Sequence, residues 1–108
     1  MQIKLTTTGR RTGTPREVTL YAWPDADRLV IVGSWGGKPQ DPAWVGNLRA
    51  EPHASVRAGR QDRPMRAREV HGKEREWLWE LVCAAFPLYR AYQRRTTRTI
   101  PLFVLEDR

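Results

Sequence analysis

The chain holds a single cysteine, Cys83, so no internal disulfide can staple it, and with only His53 and His71 besides, it lacks the ligands of a metal site. No apolar run approaches the ~20 residues that a membrane-spanning helix requires. Met1-Gln2-Ile3-Lys4-Leu5 is not followed by the apolar stretch of a secretory signal. A cytoplasmic location is therefore expected, and a lone thiol fits that reducing compartment. Neither standard phosphate fingerprint occurs: no glycine-rich loop ends in Lys-Ser or Lys-Thr, and no G-x-G-x-x-G joins a strand to a helix. The βαβ rhythm of a parallel sheet is missing too. Lysine is scarce, with Lys4, Lys38 and Lys73 the only three among 19 basic residues.

What is abundant is arginine. Against 12 acidic residues the basic excess leaves a net charge of +7. Guanidinium groups match phosphate and carboxylate oxygens in a planar, bidentate way that an ammonium does not, which points to an anionic partner. Nucleic acid, an anionic membrane surface and a phosphorylated cofactor all satisfy the charge alone. The length of 108 residues allows one domain, taken as residues 1–108, with one modest core. A composition 40% hydrophobic and 29% charged is that of a folded globular chain.

Residues 2–8 are β-prone and lead into the turn Gly9-Arg10-Arg11-Thr12-Gly13-Thr14-Pro15, which ends at Arg16. Residues 17–23, with Val18, Leu20 and Ala22 alternating, and the apolar run 28–33 predict a hairpin about Pro24-Asp25-Ala26-Asp27. Residues 34–41 are glycine-rich loop. Pro42 opens a short helix through about Ala50, with Asp41 placed as its N-cap. Residues 53–57 and 64–70 predict two more strands. From 73 to 86 the period turns helical, with Trp77, Leu78, Leu81, Val82, Ala85 and Phe86 on one face and Trp79 on the surface. Pro87 ends that helix, a short helical turn presents Tyr89 and Tyr92, and residues 100–106 form a last strand. About six strands with two or three helices in this order predict an α+β fold, a small, mostly antiparallel split β-barrel.

The turn at residues 9–16 gathers three guanidinium groups and several backbone N–H groups, chemistry for a phosphate or polyanionic tail; a solvated turn with surface arginines has the same sequence. Ser34-Trp35-Gly36-Gly37-Lys38 would let backbone approach a flat ligand, with Ser34 as a hydrogen-bond donor, or would serve as plain loop. Trp44 and Leu48, four apart, read as core, and Asn47 as a brace for backbone. Tyr89 and Tyr92, three apart, either wall a pocket as weak proton donors or lie half-buried with wet hydroxyls.

Taken in order, Leu5 to Arg16, Gly33-Ser34 with Gly36-Gly37, Asp41-Pro42-Ala43-Trp44 with Asn47-Leu48, and Tyr89, Tyr92-Gln93, Thr97 and Arg98-Thr99-Ile100-Pro101 resemble the successive signatures of the deazaflavin-dependent nitroreductase family across nearly the whole chain. The resemblance implies a split β-barrel that binds coenzyme F420 and passes a hydride from the reduced deazaflavin to an electron-poor small molecule, an enone, quinone or nitroaromatic. It implies that Arg10, Arg11, Thr12 and Arg16 hold the phosphate region, with Gly9 and Gly13 permitting the turn and Thr8 contributing. By the same resemblance, Ser34, Trp35, Gly36 and Gly37 follow the ring, Pro42, Ala43 and Trp44 form its other wall, and Tyr89 and Tyr92 shape the substrate side. Ser34 or one of the tyrosines would supply a proton. Some relatives carry a lysine where Trp35 stands, so stacking, aided by Lys38, replaces an ionic contact. Bulkier family residues at Val45 and Gly46 imply a roomier groove here, and the early start of the first strand an open substrate side.

Three rival readings remain at this level. An FMN-binding split-barrel reductase has the same shape, and the arginine turn favours the more acidic deazaflavin tail. A carrier would hold F420 without turnover. A small basic nucleic-acid-binding barrel would use Arg66, Arg68, Arg94 and Arg95, although no nucleic acid is expected over a solvated basic surface. Membrane-surface attachment lacks an amphipathic N-terminal anchor. A homodimer is common among split barrels.

Overall fold

The computed structural model describes residues 1–108. Seven strands form one antiparallel sheet: β1 (Gln2–Thr8), β2 (Pro15–Tyr21), β3 (Trp23–Asp25), β4 (Arg28–Val32), β5 (His53–Ala58), β6 (Gln61–Glu69) and β7 (Leu102–Asp107). Three helices accompany them, α1 (Ala43–Ala50), α2 (Gly72–Ala85) and α3 (Leu88–Arg94). A single 3-10 turn lies at Trp35–Gly37. None of the helices is long and apolar enough to cross a membrane.

The strand order β2-β1-β5-β6-β7-β4-β3 curls the sheet into a split barrel whose two edges, β2 and β3, are consecutive in the chain. Only Ala22 separates them. Its amide donates to the Met1 carbonyl (2.7 Å) and its carbonyl accepts from the terminal ammonium (2.8 Å), so the chain is pinned as it leaves one edge for the other. This corrects the predicted hairpin of 17–23 with 28–33. Residues 15–21 pair with β1, from Gln2↔Tyr21 to Thr8↔Pro15, and only the three residues of β3 pair with β4.

The apolar runs of β4 and β7 are explained by burial on both sheet faces. Ile31, Phe103 and Leu105 point into the barrel interior beside Ile3, Leu5 and Met65. Val30, Val32, Leu102 and Val104 point out to a second cluster capped by α2 and α3. β6 begins three residues before the predicted Pro64, because a two-residue turn at Gly59 and Arg60 replaces a longer loop. Gly59 adopts φ +67° there. Pro64 lies beyond the pairing with β7, which starts at Met65, where the strand has β5 alone as neighbour and a missing N–H is tolerated.

Two side chains of α2 are placed opposite to expectation. Its buried stripe is Leu78, Val82 and Cys83, so Trp77 turns out to solvent with 58% exposure while Trp79 packs on the second cluster. Arg75 is drawn under Trp79, 5.1 Å from its ring, and donates to the Ile100 carbonyl at 2.6 Å.

Candidate active site

A groove of about 880 Å³ opens along the edge strand β2 and is closed on its other sides by residues 9–12, residues 34–36, α1 and α3. Val18, Leu20, Val32, Trp44 and Phe86 give it apolar walls suited to a flat ring. One end is cationic. Arg10, Arg11 and Arg16 line it, and none of the three has a carboxylate within ion-pair distance, whereas Arg28, Arg49, Arg57, Arg63, Arg68, Arg90 and Arg98 each do. Glu17 is directed to Lys4, 3.9 Å away.

The turn that carries these arginines is held by its own backbone. The Gly9 amide donates to the Thr14 carbonyl (2.8 Å), the Gly13 amide to the Gly9 carbonyl (2.7 Å), and Gly13 takes φ +72°. The amides of Arg11 and Thr12 reach no acceptor in the chain, so two N–H donors stand beside the guanidinium groups. Asn47, 4% exposed, fixes the turn from α1. Its Oδ1 accepts from the Arg10 amide (3.2 Å) and Arg10 Nη1 (3.0 Å), and its Nδ2 donates to Thr7 Oγ1 (3.1 Å). Arg10 Nη1 also reaches the Ala43 carbonyl at 3.0 Å. The guanidinium lies over Gly46, 2.9 Å from where a Cβ would stand, so Arg10 fills space that a missing side chain there would otherwise leave open.

The opposite wall is held by Arg98, a side chain 14% exposed. It donates to the carbonyls of Gly33 (3.1 Å), Ser34 (2.9 Å) and Lys38 (2.8 Å) and to Asp41 Oδ1 (2.7 Å). Asp41 is therefore an ion-pair partner rather than a helix cap, and Pro42 stands at the N-cap of α1 with no side-chain hydrogen bond. Gln93 steadies the same corner through the Arg98 carbonyl and the Ile100 amide. Gly33 is compulsory, since a Cβ would lie 2.8 Å from the Pro101 ring and 2.9 Å from Val45.

Ser34 lines the groove with its hydroxyl free of any protein partner. Trp35, 45% exposed at the rim, sits at φ +42°, a strained conformation for a residue with a side chain. Lys38 Nζ stacks 4.3 Å above its ring and is spent there. Gly37 faces away from the groove, its missing Cβ within 2.6 Å of the Tyr92 carbonyl. On α3, Tyr89 is 6% exposed and its oxygen accepts the indole N–H of Trp23 at 2.9 Å. Burial pushes its phenol pKa above the ordinary value, against the smaller opposing effect of that hydrogen bond. Tyr92 and Phe86 complete an aromatic wall about it.

One groove thus gathers Gly9, Arg10, Arg11, Thr12, Arg16, Ser34, Trp35, Gly36, Pro42, Ala43, Trp44, Tyr89 and Tyr92, residues from four separate segments. Thr8, Gly13, Gly37 and Lys38 stand beside it without lining it. Sequence reasoning passed over the β2 side chains, Phe86, Trp23 and the clamp of Arg98. The alternation of Val18 and Leu20 on an edge strand was the available signal for the first of these. Of the arginines that suggested nucleic acid, Arg68 is bound by Glu74 and Glu106, and Arg95 lies 5.4 Å over the Tyr92 ring.

The model of the F420H(2)-dependent quinone reductase family matches residues 1–107. An F420H(2)-dependent quinone reductase of Mycobacterium tuberculosis is 37% identical over 107 residues, covering 96% of this chain and 72% of the relative. The solved structure of an F420-H2 dependent reductase (FDR-A) superposes with a TM-score of 0.87 at 40% identity, over 97% of this chain and 93% of that one. A second structure, described as a domain-swapped dimer, gives a TM-score of 0.88, also at 40% identity, over 97% of this chain and 79% of that one.

Proposed function

The chain belongs to the F420H(2)-dependent quinone reductase family and is an oxidoreductase that uses F420H2; from that premise we propose how its groove holds the cofactor and that its acceptor is a quinone. The observation that carries the reading is the trio Arg10, Arg11 and Arg16, none of them ion-paired, at one end of a slot whose one lining carboxylate, Glu17, is paired with Lys4. Such a site fits a planar ring joined to a phosphate and a carboxylate-rich tail better than it fits FMN, whose single phosphate needs fewer cations.

In this reading Arg11, Arg16, Thr12 and the free amides of residues 11 and 12 take the phosphate region, with Arg10 held in place by Asn47. Gly9 and Gly13 allow the turn, and Thr8 supports its base. Trp44, Pro42 and Ala43 on one side and Ser34, Trp35 and Gly36 on the other enclose the ring, with Gly37 and Lys38 shaping that second wall from behind. Bound F420H2 supplies a hydride from C5 of its deazaflavin ring. The protein's own part is to seat the acceptor against the aromatic wall, exclude water and offer hydroxyl donors from Ser34, Tyr89 and Tyr92 to the oxygen that gains charge.

Fluorescence titration of F420 into the purified protein tests the cofactor site. Arg11→Ala and Arg16→Ala should each weaken binding by ~1.5–3 kcal/mol, the worth of a hydrogen bond to a charged group. If both variants bind as the wild type does, the phosphate assignment is wrong. The protein is proposed to act as one domain over residues 1–108, in the cytoplasm, where its single thiol stays reduced. The likeness to the domain-swapped dimer supports a homodimer, which sedimentation at several concentrations would reveal as a mass near twice 12.5 kDa.

A further inference from the structure

The phenol of Tyr89 has a donor left over. An indole N–H can only donate, so in the 2.9 Å contact with Trp23 Nε1 the tyrosine oxygen must be the acceptor. The phenolic proton then needs an acceptor of its own, and the chain offers none, although Tyr89 is 6% exposed and lies against the groove. Buried hydroxyls are rarely left without a partner. Trp23 does not line the groove. It is held by stacking on Tyr21 (6.1 Å) and Phe86 (6.4 Å), which themselves line the groove, and it meets the Tyr89 ring edge-on at 87°. Its N–H therefore comes from a set direction and restricts where the tyrosine proton can turn.

We propose that Trp23 is a positioning residue which, by donating to the Tyr89 oxygen, directs the Tyr89 O–H into the groove, where it hydrogen-bonds the carbonyl oxygen of a quinone-type acceptor. This rests on the reading of the groove as the site of F420H2-dependent reduction. It separates the roles of the two tyrosines: Tyr92 has a hydroxyl with no such orienting partner, whereas Tyr89 is held ready. The arrangement also gives the indole N–H a role in a tryptophan whose ring packs on the second cluster at the start of the shortest strand, where the chain has just crossed between sheet edges at Ala22.

The test is a double-mutant cycle of Trp23→Phe and Tyr89→Phe, read by steady-state reduction of a water-soluble benzoquinone with F420H2 and by F420 fluorescence titration. Phenylalanine keeps an aromatic ring in the stack while removing the N–H along with part of the indole's volume, and thermal unfolding of each variant reads the cost of that lost packing. Trp23→Phe should lower kcat by roughly three- to tenfold, the worth of one neutral hydrogen bond, and leave F420 affinity unchanged. In the Tyr89→Phe background it should cost nothing further. A second readout needs no cofactor: the alkaline absorbance titration of the Tyr89 phenol should shift upward in Trp23→Phe, because the indole donor favours the phenolate. The titratable groups that Tyr89 feels are Tyr92 from α3 and Cys83 from α2, and both remain in the variant. An equal loss of kcat from Trp23→Phe with and without the Tyr89 hydroxyl, or no shift of the phenol, would overturn the proposal while leaving the cofactor assignment standing. A wild-type protein that neither binds F420 nor turns over would remove both.

Discussion

Gly46 has no room for a methyl group, because the Arg10 guanidinium lies 2.9 Å from where it would go. Two effects oppose each other at this position. Alanine would favour the helix by ~0.5–1 kcal/mol, yet it would push Arg10 off Asn47 and Ala43. Gly46→Ala should therefore leave the thermal midpoint nearly unchanged while weakening F420 binding by ~1–2 kcal/mol, as calorimetry and fluorescence titration would show together. The sequence already marked Asn47 as a brace for backbone. It did not show that the backbone in question belongs to a turn 37 residues earlier, because no local pattern encodes that contact. The same holds for Lys38, whose charge reads as available in the sequence and is stacked on Trp35 in the fold.

Among elements, the loop from Gly33 to Asp41 depends on one side chain. Arg98→Ala would strand the carbonyls of Gly33 and Lys38, leave that of Ser34 with the Gly37 amide as its remaining donor, and leave Asp41 to Arg49 alone. A loss of ~2–3 kcal/mol is expected, as for a buried charged donor, measured by urea unfolding, with weaker F420 binding because the Ser34 wall is released. The helix α2 offers a sharper contrast. Trp77→Ala should change stability by less than ~0.5 kcal/mol, as exposed substitutions do. Trp79→Ala should cost roughly half of the ~3–5 kcal/mol of a fully buried tryptophan. Helical periodicity revealed the element but not its rotation: Trp77 and Trp79 lie about 200° apart around the helix axis, and the face buried by β4, β7 and α3 decides between them.

For the whole molecule, the antiparallel barrel was readable because β4 and β7 carry continuous apolar runs, β1 alternates, and Gly and Pro mark the turns. The edge crossing at Ala22 was not, since residues 17–23 read as one uninterrupted strand and only pairing partners divide them. Charge pairing across the surface sets the acid response. Glu69 is held below its ordinary value of 4.5 by its hydrogen bonds to Arg49, and Glu74 by Arg68 and then Arg28. A lowered carboxylate contributes stability that is present above its unfolded value and lost as pH falls through the folded one. The urea midpoint should accordingly stay level near neutrality and decline only below pH 4.5. Screening acts on a different group: the unpaired arginines at the groove lose attraction for an anionic tail as salt rises.

The most direct test is therefore a fluorescence titration of F420, run in parallel with FMN at low and high salt on the same preparation. F420 binding tighter than FMN, weakening with salt and weakening further in the Arg11→Ala, Arg16→Ala double variant, is the predicted result; FMN binding as tightly as F420, or an F420 affinity indifferent to both salt and those arginines, would contradict it.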